Sequence, residues 1–189
     1  MSWLHDAERL DVAVYAAIAR TPSPALDRWL SRLSRAADYS RLSIAAAGAL
    51  SVLGGPEGRR AARDGLASVA VTAAIVNLAI KPFARRRRPD RVAQEVPVAR
   101  HIRMPASRSF PSGHAAAAFA FATGVAHVSP TAAIPLRALA ALVAYSRVHT
   151  GVHYPGDVIV GALVGVTLAE GTMRALGGRA TPAQPYPRR

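Results

Sequence analysis

Three short stretches carry most of the chain's chemistry: KPFARRRRP (81–89), PSGH (111–114) and SRVHTGVHYPGD (146–157). Lys81 is the only lysine among 24 basic residues, so its place beside a run of arginines asks for a reason. Together with Arg88 and Arg147 it supplies three fixed cations. Ser112 and Gly113 stand where a helix should begin. Their backbone N–H groups are expected to point outward, with the positive end of the helix dipole behind them. Cations beside a helix N-terminus make a phosphate pocket, and such donors stabilise the charge that phosphoryl transfer spreads over the equatorial oxygens.

Two histidines turn that pocket into a hydrolase. His153 and Asp157 are four residues apart, one helical turn. The carboxylate can hold one ring N–H, fix the tautomer and stabilise the positive charge that develops. The other ring nitrogen is then free to attack phosphorus. His114 can protonate the leaving alkoxide as general acid, a role typically worth ~10²–10⁴-fold. No metal or cofactor is called for, because the lysine and the arginines already supply the positive charge. His149 lies one further four-residue step before His153, a spacing that mimics a metal site. The HExxH pattern is absent and nearby arginines would repel a divalent ion, so His149 is expected to be structural or to support its neighbours.

These groups must be positioned by helices. Five apolar segments, 39–55, 62–81, 112–129, 132–149 and 155–173, each fall a little short of the ~20 residues of a full membrane crossing. Charges such as Arg41, Arg137 and Glu170 sit near their ends. Helices alternate direction across a membrane, so the join from Lys81 to His114 and the join from Ser146 to Asp157 fall on the same face. Topology alone therefore brings the two histidine-bearing stretches together. The first 38 residues differ: Ser23 is an expected N-cap with Pro24 at the first helical position, and Leu26, Leu30, Leu33 and Ala37 recur at helical spacing. This segment is read as an amphipathic helix on the membrane or against the bundle, with LDVAVYAAIAR as a partner helix before it. Domain organisation is then interfacial helices over 1–38, a transmembrane core over 39–175, and a flexible Pro-, Gly- and Arg-rich tail over 176–189. The fold class is all-α: an integral-membrane helical bundle of about five transmembrane helices plus the N-terminal amphipathic ones.

Composition agrees. At 189 residues the chain has room for one domain, and 51% of it is hydrophobic. A positive mean hydropathy of +0.16 beside a net charge of +13 means that the charges are segregated from the apolar residues, as in membrane proteins with charged loops. Nucleic acid is excluded as a partner, because the arginines cluster at the ends of apolar runs and aromatics for stacking are only 6%. The absence of cysteine excludes disulfides and thiolate metal sites. The acidic start MSWLHDAERLDVAVY does not read as a cleaved signal peptide.

The pattern K-x₆-RP, PSGH and SR-x₅-H-x₃-D resembles the signature of the type-2 phosphatidic acid phosphatase family. It matches at Lys81, Arg88, Pro89, Pro111, Ser112, Gly113, His114, Ser146, Arg147, His153 and Asp157, and the resemblance covers about residues 40–175. It implies a helical-bundle phosphatase working through a phosphohistidine on His153. Asp157 would orient that histidine, His114 would be the acid, and Lys81, Arg88, Ser112, Gly113 and Arg147 would bind phosphate. The implied substrate is a lipid phosphate: phosphatidic acid, phosphatidylglycerophosphate, a polyprenyl diphosphate, or a polyprenyl-linked sugar phosphate such as decaprenylphosphoryl-5-phosphoribose. Two alternatives stand beside it, a haloperoxidase-like vanadate site and a non-catalytic protein that holds anionic lipid.

Other residues receive plainer assignments. Arg85, Arg86 and Arg87 are expected to be a basic rim or anionic-lipid contacts. Asn77 is expected to bond between helices, and His101 to be a solvated loop residue. Gly161 and Gly165 form a GxxxG whose first reading is close packing within the bundle and whose second is a homodimer contact. Arg9, Arg20, Arg28, Arg32 and Arg35 fall on the site face, with Arg59, Arg60 and Arg63 opposite. The positive-inside rule then puts a multi-pass protein in the cell membrane with its site on the cytoplasmic face.

Overall fold

The computed structural model describes residues 2–177, and every regular element among them is a helix. In chain order these are α1 (Ser2–Arg20), α2 (Pro24–Ala36), α3 (Arg41–Leu53), α4 (Gly55–Ala74), α5 (Gly113–Ala126), α6 (Pro130–His149) and α7 (Pro155–Gly177). Helix α4 continues through a wide π-type turn at Ile75–Ile80 and a tight turn at Lys81–Phe83. Pro24, Pro56, Pro130 and Pro155 each fall in a first turn, where the missing N–H is not needed. The expected flexible tail begins two residues too early, since α7 holds Leu176 and Gly177. Its remainder, 178–189, lies outside the described residues.

Each of the five apolar segments becomes a helix, but three are long and apolar enough to cross a membrane: Gly55–Phe83, Pro130–His149 and Pro155–Gly177. Helices α3 and α5 have 13 and 14 residues, about 20 Å at ~1.5 Å per residue, against a hydrocarbon core of ~30 Å. Glycines 54 and 55 cut α3 short, Gly55 with a positive φ of 59°. The short α5 is the centre of the bundle, packed against α4, α6 and α7. Its Ala115, Ala116, Ala120, Phe121, Ala122 and Val125 are all buried. Small residues let the backbones approach, which replaces the hydrophobic drive that lipid does not supply.

Helices α5 and α7 also approach closely. A methyl group on Gly161 would strike the carbonyl of Ser112, and one on Gly165 would strike the carbonyl of Ala116. The GxxxG is therefore used inside the chain. Asn77 is also local: its amide donates to the Ala73 carbonyl one turn back in the same helix, 2.9 Å away, and not to a neighbouring helix as expected.

Helices α1 and α2 pack on the bundle at the ends of α6 and α7. The hidden stripe of α2 is more polar than its leucine spacing suggests: Asp27, Leu30, Ser31 and Ser34 are buried, while Leu26 and Trp29 are exposed. The reason is its partner surface. Arg147 donates to Ser34 Oγ at 2.8 Å, His149 meets Asp27 at 2.9 Å, and Thr150 and Ser34 share a contact of 3.4 Å. Arg100, wholly buried in the α4–α5 connection, ties the α1–α2 turn through Asp27 and the carbonyls of Ile18 and Ala19.

Gly165→Ala should lower the thermal midpoint in detergent, because overpacking of this kind costs ~1–3 kcal/mol. Gly48→Ala, where an added methyl meets nothing within 4 Å, should leave the midpoint unchanged or raise it.

Candidate active site

The two joins meet on one face, as the alternation of helix directions requires. The turn of α4 at Lys81–Phe83 brings in Lys81, and the chain from Ala84 to Pro89 then runs extended. In an extended run alternate side chains share a face. Arg86 and Arg88 turn inward, and Arg85 and Arg87 are exposed. Arg88 is held by carbonyls: Nε donates to Ser107 O at 2.9 Å and Nη1 to Val152 O at 2.8 Å. The same Nη1 lies 3.2 Å from Nε2 of His153.

His153 is buried in the turn between α6 and α7. Its Nδ1 faces Asp157 Oδ2 at 3.4 Å. Asp157 accepts from the Tyr154 N–H at 2.9 Å and from the Ser109 hydroxyl, which itself sits 3.4 Å from Nδ1. The proton is thereby assigned to Nδ1, and Nε2 keeps its lone pair. Burial pushes the His153 imidazole down to about 3, with Arg88 adding to the shift and Asp157 opposing it. The ring is neutral at physiological pH, the state a nitrogen nucleophile needs.

Arg86 departs from its expected place in a basic rim. Its Nη1 is 3.1 Å from Asp157 Oδ1 and its Nη2 is 2.6 Å from Asp11 Oδ2 on α1. The guanidinium also lies 4.2 Å over the Tyr154 ring. Asp11 in turn accepts from the Gly156 N–H at 2.7 Å. A line of contacts thus runs from α1 through Arg86 to the carboxylate that orients His153. The period of two in the extended run held this signal, since Arg86 shares parity with Arg88.

At the start of α5, Ser112 caps the helix by accepting from the Ala115 N–H at 3.4 Å. Its own N–H is not outward-facing as expected: it donates to the Asp157 carbonyl at 2.8 Å. The free first-turn donors are those of Gly113 and His114, which have no partner within the helix. A methyl on Gly113 would lie 3.3 Å from Lys81 Nζ, so a side chain there would crowd the ammonium. Arg147 is buried, with Nη1 on Ser34 and Nε unpartnered. His114 Nε2 meets Asp38 Oδ1 at 2.9 Å, a partner that no motif indicated. His149 turns to Asp27 on α2, so the three residues at four-residue spacing do not converge. His101 bonds the Val96 carbonyl within its own loop. Beside Lys81, Gly113 and His114 opens a cleft of about 170 Å³ running between α3, α4 and α5, lined by Ser43, Val76 and Ala117 among others.

The arrangement is a cation-lined pocket at a helix N-terminus, with a neutral, oriented imidazole on one side and a second histidine on the other, inside a bundle with membrane-crossing helices. Residues 64–180, well over half of the chain, match the PAP2 superfamily, and the chain belongs to it. The resemblance drawn from the three motif blocks is borne out. Over 155 residues the chain is 37% identical to decaprenylphosphoryl-5-phosphoribose phosphatase of Mycolicibacterium smegmatis, covering 79% of this chain and 78% of that one. It is 36% identical over 114 residues to the protein of the same name from Mycobacterium tuberculosis. That match covers 58% of this chain and spans 59% of the length of the relative. Among solved structures, Aquifex aeolicus LpxE superposes with a TM-score of 0.72 at 25% identity, over 87% of this chain and 95% of that one. The transmembrane PAP2-type phosphatidylglycerolphosphate phosphatase of Bacillus subtilis shares the fold, with a TM-score of 0.68 at 21% identity over 95% and 90% of the two chains.

If Arg86 holds Asp157 in place, Arg86→Ala should lower phosphate-ester turnover by on the order of 10–100-fold, the size that follows small misplacements of a catalytic group. Arg85→Ala and Arg87→Ala should stay within about twofold of the parent. Equal effects at all three positions would return Arg86 to the rim.

Proposed function

We propose that this chain is an integral-membrane lipid phosphatase, a phosphoric-ester hydrolase acting on a lipid whose tail stays in the bilayer. The observation that carries the reading is His153, buried and neutral, with Asp157 at Nδ1 and Arg88 beside Nε2. Lys81, Arg88, Arg147, the Ser112 hydroxyl and the N–H groups of Gly113 and His114 would hold the phosphate oxygens. Nε2 attacks phosphorus, a P–N bond forms, and the P–O bond to the leaving oxygen breaks. His114 supplies that oxygen with its proton. Water then attacks the phosphohistidine, His114 takes the water's proton, the P–N bond breaks, and inorganic phosphate leaves.

The pocket recognises phosphate and not the lipid. Among phosphatidic acid, phosphatidylglycerophosphate, polyprenyl diphosphate and decaprenylphosphoryl-5-phosphoribose we choose the last first, supported by the names of the two relatives at 36% and 37% identity. In detergent, the protein should release phosphate from at least one member of this panel. His153→Ala should abolish release while the protein stays folded and still binds lipid. Lys81→Arg should cost roughly 10-fold or more despite keeping the charge, since one misplaced donor to the reacting oxygens typically costs ~10²–10³-fold. Release that survives in His153→Ala would sink the phosphohistidine route.

For location we propose the cell membrane, with the site on the cytoplasmic face. Support comes from Arg9, Arg20, Arg28, Arg32 and Arg35, all exposed on the two helices that dock at the site end. A single cysteine placed in loop 90–110 of this cysteine-free chain should resist a membrane-impermeant thiol reagent in intact cells and react after lysis. Labelling before lysis would reverse the orientation.

A further inference from the structure

We infer that Asp38 is a positioning residue of the active site, the carboxylate that keeps the ring of His114 oriented and able to donate a proton. The inference rests on the phosphatase reading above and adds a residue from outside the stretch that matches the superfamily, 64–180. Asp38 lies between α2 and α3, in a short 3₁₀ turn with Tyr39 and Ser40. Its Oδ1 is 2.9 Å from Nε2 of His114 and 3.6 Å from Nη1 of Arg147.

Two independent features single it out. The first is backbone conformation. Tyr39 and Ser40 have φ of 57° and 56°, both left-handed and neither glycine. Such residues persist where the surrounding structure holds them, and they gather at functional sites. Tyr39 is 80% exposed, so its side chain gains little from the arrangement. What the turn does achieve is to start α3 while the preceding carboxylate reaches α5.

The second feature is charge. A general acid must hold a proton when the substrate arrives. Burial first, and the nearby cations after it, hold the His114 ring below the usual imidazole range, and Asp38 opposes them. The groups facing this pair are Lys81 from α4, Arg147 from α6 and Arg41 from α3, all cationic. Asp38 is the carboxylate that meets the ring. Its hydrogen bond to His114 holds Asp38 below the usual carboxylate range, so it is ionised at neutral pH. With the Nε2 proton directed at Asp38, the proton on the other ring nitrogen is the one left for the leaving oxygen.

The test compares two leaving groups. For the purified full chain, Asp38→Asn and Asp38→Glu, kcat/KM is measured from pH 5 to 9 on a lipid alkyl phosphate and on p-nitrophenyl phosphate, whose leaving group departs without a proton. Asp38→Asn should lower kcat/KM on the lipid phosphate by roughly 10–100-fold, part of the ~10²–10⁴-fold that general acids contribute. Its alkaline limb should move to lower pH, because the protonated ring has lost its anion. On p-nitrophenyl phosphate the same variant should stay near the parent, and Asp38→Glu should recover part of the lipid activity. Equal losses on both substrates would mean a merely structural role and overturn the inference, as would no loss at all. A gain in kcat/KM would overturn it too, by showing that the carboxylate occupies the phosphate's place at His114 and Arg147. A parent chain inactive on both substrates fails the phosphatase reading itself, whereas an active parent with an indifferent Asp38→Asn fails only this inference.

Discussion

The contact on which the site depends is the approach of α7 to α5 through Gly161 and Gly165. Because neither glycine carries a side chain, the Ser112 N–H reaches the Asp157 carbonyl at 2.8 Å and the starts of the two helices are locked together. Everything chemical is referred to that lock. Asp157 is fixed by its own backbone and then collects Ser109, the Tyr154 N–H and Arg86, and so His153 has one orientation available to it. His114 sits two residues after the locked serine. Wider spacing between α5 and α7 would separate the two histidines without altering either one.

The basic residues at this face divide by the kind of acceptor that holds them. Arg88 is held by the carbonyls of Ser107 and Val152, and Arg91 by those of Ile102 and Gly151. A neutral acceptor orients a guanidinium and leaves its charge uncompensated. Arg86 and Arg100 instead bond carboxylates, Asp157 and Asp11 for the first and Asp27 for the second. Buried charge is costly unless paired. The carbonyl-held set, together with Lys81, therefore forms a region that gains most from an incoming anion, while the carboxylate-held set braces the scaffold. Arg147 stands between the two sets: wholly buried, it bonds Ser34, lies 3.6 Å from the Asp38 carboxylate and keeps Nε unpartnered.

What could be read from sequence followed local spacing. The His153–Asp157 pair, the helix start at Ser112 and Gly113, Pro24 in the first turn of α2, and the meeting of the two joins all depend on helical geometry over a few residues or on the alternation of directions. Ser23, expected to cap α2, instead turns its hydroxyl to Asp27. Arg86 was equally local, but the run of four arginines hid a period of two inside an apparent charge cluster. Asp11 and Asp38 are different in kind. Each is a lone carboxylate whose partners lie 75 or more positions away, and no periodicity records such a contact. The polar stripe of α2 was obscured for a related reason: its leucines recur at helical spacing, but the surface it covers is the polar end of α6. Helix length is set by where glycine and proline interrupt: α3 stops at Gly54 and Gly55, and α5 ends ahead of Pro130, so both are shorter than the three helices that are long and apolar enough to cross a membrane.

The lone lysine in an arginine-rich chain follows from the same close packing. Lys81 Nζ stands 3.3 Å from where a Gly113 methyl would be, and 3.5 Å from Ser107 Oγ. A guanidinium is a flat fork whose donors are fixed in one plane, whereas an ammonium is compact and turns on a flexible stem. The smaller head lies against the bare backbone of Gly113, beside the first turn of α5. The glycine and the lysine are thus one device: the absent side chain leaves the ammonium uncrowded, and the narrow cation adds its charge at the point where the helix N–H groups already converge.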